Sequence, residues 1–121
     1  MPRFPLPALA LALALAAAAA GRAGADEAFI AGVEDLPLMP GLTQIDSAGL
    51  VFDTPTGRIV EAYAAGPVAA PAVLDFYAAT LPELGWAVER PARFRREGEE
   101  LRLEFLDGGD RLIVRFTLSP E

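Results

Sequence analysis

The chain contains no cysteine, no histidine and no lysine, and its only serines are Ser47 and Ser119. Each absence closes a chemistry. Ser-His-Asp, Cys-His and Ser-Lys nucleophilic arrangements cannot be assembled. Zinc sites built from Cys and His are excluded. No disulfide can form, so stability must come from apolar burial. The sequence therefore predicts no catalytic residue, no cofactor and no metal ligand. A lipoprotein is excluded too, because the lipid is carried on a cysteine.

Acid is also missing from one end. No Asp or Glu precedes Asp26. Arg3 and the amino terminus are followed by an unbroken Leu/Ala run, Ala8 to Ala20, and then by Ala23-Gly24-Ala25. A positive start, an apolar stretch and a small-x-small cleavage pattern predict a cleavable signal peptide over residues 1–25. The rival is an uncleaved anchor. At about 1.5 Å per helical residue, 13 residues fall well short of a hydrocarbon core about 30 Å thick. The expected location is periplasmic or secreted, with no membrane span after cleavage.

Removing residues 1–25 from 121 leaves 96, enough for one domain. Eight arginines then face 17 acids, a net charge of −9. Such a domain repels phosphate backbones, so nucleic acid is not an expected partner.

Residues 26–49 have little period. Two prolines in Leu36-Pro37-Leu38-Met39-Pro40 prevent regular helix or central strand. They predict an extended segment across the domain, with a short helical turn at Phe29 to Gly32. A proline-stiffened apolar loop loses little entropy on docking, which makes Leu36, Pro37, Leu38, Met39 and Pro40 a candidate partner surface. The alternative is self-docking over the domain's own core or sheet edge.

Residues 50–121 are patterned. Leu50 to Asp53 and Arg58 to Ala65 flank Thr54-Pro55-Thr56-Gly57 and predict a hairpin. Pro71 to Leu84 predicts a helix with Val73, Phe76, Tyr77, Thr80, Leu81 and Leu84 on one face, and Gly85 as its terminator. Trp86 to Glu89, Arg93 to Arg96, Glu100 to Leu106 and Arg111 to Leu118 predict strands. The last two alternate apolar and polar, as antiparallel strands with one wet face do. The expected fold is α+β: an antiparallel sheet of about five or six strands, one helix on one face, in the order β-β-α-β-β-β-β.

Other constellations have structural explanations. Asp107-Gly108-Gly109-Asp110 has two acids but lacks the ligand spacing of a helix-loop-helix calcium site, and suits a tight turn. Glu97, Glu99, Glu100 and Glu104 are interleaved with Arg95, Arg96 and Arg102, as cross-strand charge pairs are. Phe76, Tyr77 and Trp86 suit a core, with a ligand platform as the rival.

Phe76-Tyr77-Ala78-Ala79-Thr80-Leu81-Pro82-Glu83-Leu84-Gly85-Trp86 resembles a segment of small exported proteins of Gram-negative bacteria. Asp35 to Leu42 and Phe52 to Ile59 extend the likeness over most of the chain after residue 25. The resemblance brings no activity and no functional residue. The expectation is an exported, non-catalytic binding or accessory module of the bacterial envelope, whose partner is another envelope protein. The alternatives are a carrier or sensor of a small apolar ligand held near Tyr77 and Trp86, and an enzyme using carboxylates alone.

Overall fold

The computed structural model describes residues 28–33 and 35–121. The predicted signal peptide lies outside them. The strands are β1 (Thr43–Gln44), β2 (Leu50–Thr54), β3 (Gly57–Gly66), β4 (Ala87–Arg90), β5 (Arg93–Arg96), β6 (Glu99–Asp107) and β7 (Leu112–Pro120). Among the described residues the one α-helix, α1 (Ala70–Thr80), stands between β3 and β4. All seven strands form one antiparallel sheet in the order β1-β3-β7-β6-β5-β4, with β2 beside β1 on the same edge of β3. The α+β architecture and the strand–helix order match the sequence pattern. The strand absent from that pattern is the two-residue β1.

The period-two runs place the core. Leu101, Leu103, Val114, Phe116 and Leu118 point to one face and are buried, joined by Val60, Ala62 and Ala64 from β3 and Phe94 from β5. α1 lies on this face and buries Val73 and Tyr77. Tyr77 meets Phe116 edge to face, with ring centroids 5.5 Å apart. Pro71 sits in the first turn of α1, where a missing N–H costs nothing. Pro82 tightens the chain into a 3-10 turn at Leu81–Leu84, and Gly85 ends it with φ of +95°. Leu84, expected on the buried face, is exposed because that tightening rotates it outward. Trp86 then drops into the core.

The amino-terminal segment shares the helix side of the sheet. Its Ile30, Val33, Leu36 and Leu42 are core side chains. Phe29 does not enter a helical turn. It forms an isolated antiparallel bridge to Pro37, and the Ile30 N–H donates to the Leu36 carbonyl at 2.8 Å. Antiparallel pairing across this short loop outweighs the weak helical tendency. The segment is also fastened electrostatically. Arg96 donates to both carboxylate oxygens of Asp35 at 2.7 and 3.1 Å, and its guanidinium covers Trp86 at 4.4 Å. Arg58 bridges Glu99 and the Gly32 carbonyl.

Among the described residues, no helix is long and apolar enough to cross a membrane.

Candidate functional site

The two edges of the sheet differ. β4 has Glu89 and Arg90 in the strand, a register shift between Val88 and Arg90, and Pro91 directly after it. Charge, irregular register and proline are what keep an edge from pairing with another chain. β2 carries Leu50-Val51-Phe52, all exposed: 44%, 58% and 50%. Among the described residues β2 pairs only with β3. Its outer edge is a run of three large apolar residues with a single charge, Asp53, beyond it.

The local sequence explains why this strand is presented. Thr54-Pro55-Thr56-Gly57 closes a two-residue hairpin, and the Thr54 hydroxyl donates to the Gly57 carbonyl at 2.7 Å. The hairpin fixes Leu50 opposite Glu61, Val51 opposite Val60 and Phe52 opposite Ile59. Leu50 and Phe52 therefore project from the outer face, and Val51 from the helix side. β1 and β2 run along the same edge of β3 but are separated by residues 45–49, which bulge away through a short 3-10 turn at Asp46–Ala48. Gly49 lets the chain return closely, since a Cβ there would lie 3.1 Å from the Glu61 carbonyl.

The bulge leaves a cleft of about 300 Å³ beside β2, lined by Ala31, Asp46, Leu50, Val51 and Glu61 among others. Among the described residues its acids have no ion-pair partner. The described ion pairs occupy Asp35, Glu89, Glu99, Glu100, Glu104 and Glu121. None reaches Asp46, Asp53 or Glu61 among the described residues. Glu61 receives only the Tyr63 hydroxyl, at 3.4 Å.

The proline-containing candidate surface is engaged with its own domain. Leu36 is fully buried, Leu38 and Met39 pack on the core, Pro37 is half-buried, and Pro40 alone of the five is exposed. Tyr77 and Trp86 are core residues. The cleft between α1 and the β4–β5 hairpin, about 330 Å³, is lined instead by Leu74, Ala78, Val88 and Phe94 with Asp75 at its rim. Asp107 to Asp110 form a turn in which the Asp107 carboxylate accepts from the Gly109 N–H at 3.0 Å. No group of three metal-capable side chains converges among the described residues.

Two described carboxyls are held in the ionised form by arginine. Hydrogen bonds from Arg96 hold Asp35 below its ordinary range, and one from Arg115 does the same to Glu104. A general acid at neutral pH needs the opposite shift. Sequence reasoning missed β2 as a site. Its signal was the absence of polar alternation in Leu50-Val51-Phe52, which reads equally as a buried strand.

No family model, curated protein or solved structure matches this chain.

Proposed function

We propose that the chain is an exported, non-catalytic binding or accessory module of the bacterial envelope. One observation carries the binding role: a sheet guarded on one edge and left apolar on the other. Natural sheets protect their edges, and an unprotected one is a template for an incoming strand. The export-type amino terminus supports the compartment, and the missing His, Cys and Lys support a role without catalysis.

The test has two parts. The protein is recovered from its producing cell and its amino terminus is sequenced; the expected first residue is Asp26. A photo-crosslinking amino acid at Leu50 is then activated in intact cells, and one dominant adduct with an envelope protein is expected. An intact Met1 on a cytosolic product, or no specific adduct, overturns the proposal.

The apolar cleft beside Leu74 and Val88 favours a second reading, a carrier of a small apolar ligand. Stoichiometric binding of a hydrophobic dye, abolished by Ala78→Trp in a folded protein, would support it; dye binding unaffected by that change would remove it.

A further inference from the structure

We propose that β2 docks an extended peptide segment in which large apolar side chains alternate with Arg or Lys, added as a further strand to the sheet. The proposal rests on the binding-module reading and specifies the chemistry of the partner.

Backbone geometry sets the mode. In a two-residue hairpin the residues flanking the loop exchange both backbone hydrogen bonds, and such pairs recur at every second position. Thr54, Phe52 and Leu50 therefore spend their N–H and C=O groups on Gly57, Ile59 and Glu61. The groups of Val51 and Asp53 point to the open edge, where a strand can meet them. Leu50 and Phe52 offer apolar contact on the outer face, and Val51 on the inner one.

Charge sets the occupant. Asp46 and Glu61 line the cleft, and Asp53 adjoins it along β2. The nearby Arg58 is committed to Glu99 and to the Gly32 carbonyl. A second copy of the chain would bring the same three acids to the seam, between two molecules of like net charge, and like charges across an interface oppose pairing. A cationic strand meets the opposite situation: with its apolar side chains on Leu50 and Phe52, its cations fall on the other face, that of Val51 and Asp53, and it is drawn in by the acidic field of the whole domain.

The experiment measures binding of the folded protein to three synthetic peptides by fluorescence anisotropy: alternating Val–Lys, alternating Val–Glu, and a block peptide of the same Val and Lys content. The alternating Val–Lys peptide should bind at least tenfold more tightly than either of the others. Phe52→Lys and, separately, Leu50→Lys should each weaken it tenfold or more while Trp86 emission remains native. Leu106→Lys, an exposed apolar position away from β2, should leave it unchanged. Equal binding of the block peptide would reduce the effect to bulk charge and overturn the proposal. So would a dimer, seen by sedimentation at low salt where like charges repel, that Phe52→Lys dissociates. If either occurs while the crosslinked envelope partner is still recovered, the edge chemistry fails and the module reading stands. If the peptides behave as expected but no envelope partner is crosslinked, the reverse holds.

Discussion

The Tyr77 hydroxyl sits between two backbone groups of the proline-containing segment, donating to the Pro37 carbonyl at 2.7 Å and accepting from the Met39 N–H at 3.1 Å. One side chain of α1 thus satisfies polar groups that a proline-interrupted segment cannot pair in a ladder. Burial pushes the phenol well above its ordinary pKa, so it remains a donor. Tyr77→Phe keeps the ring against Phe116 and removes both bonds. Leaving buried groups unpaired costs about 1–3 kcal/mol. Urea unfolding followed by the emission of Trp86, the sole tryptophan, should show a lower midpoint with an unchanged slope.

The Asp35–Arg96 pair predicts part of the acid sensitivity. Asp35 is held below its ordinary pKa when folded, chiefly by the Arg96 hydrogen bonds. The unfolded chain, with an Asp pKa of about 3.9, binds the proton first as pH falls. The pair's contribution is therefore complete above that value and is lost as pH drops through the depressed folded value. Asp35→Asn should flatten the fall of stability with pH in this window. Since the Asp35 side chain is half-exposed, the loss at neutral pH should stay below about 1 kcal/mol. Unfolding free energies measured from pH 7 down to pH 3 on both proteins decide it; parallel curves would refute the assignment.

How much of this was legible in sequence depends on the range over which each feature is decided. The alternation of β6 and β7, the helix with Pro71 in its first turn, and the stop at Gly85 are local, and the sequence pattern located them within a few residues. Arg96 was not legible. Its neighbours Arg95 and Glu97 suggest a solvated charge run, yet strand parity carries it to the helix side beside Asp35, 61 positions away. β1 has no period to detect. It forms because β3, ten residues long, outruns the five-residue β2 and leaves its far half open to another strand. The exposure of Leu50 to Phe52 is likewise a matter of topology, since pattern reveals a strand but not its place in the sheet.

Gly66 marks where the amino-terminal segment crosses the end of β3. A Cβ there would land on the Gly41 carbonyl oxygen and crowd the Leu42 Cα. Both obstacles are backbone, so neither can rotate away. Gly66→Ala should destabilise by about 1–3 kcal/mol or more, as overpacking does. Gly98, whose Cβ would meet nothing within 4 Å but which has φ of +82°, is a useful contrast. Gly98→Ala there should lose only the roughly 1–2 kcal/mol of left-handed strain. Thermal melts of the two variants separate steric from conformational cost.

The asymmetry of the edges predicts opposite responses to matched substitutions. At low salt the acidic net charge keeps copies apart, and at high salt that repulsion is screened. The exposed apolar run of β2 should then drive association. Phe52→Lys installs the kind of guard that β4 already has and should raise the protein concentration at which light scattering appears in high salt. Because Phe52 is half-exposed, the change should alter folding stability by no more than about 0.5 kcal/mol. Glu89→Val strips charge from β4 and should lower that concentration. If both variants scatter like the parent, the contrast between edges has no bearing on association, and the apolar character of β2 is not what makes it available.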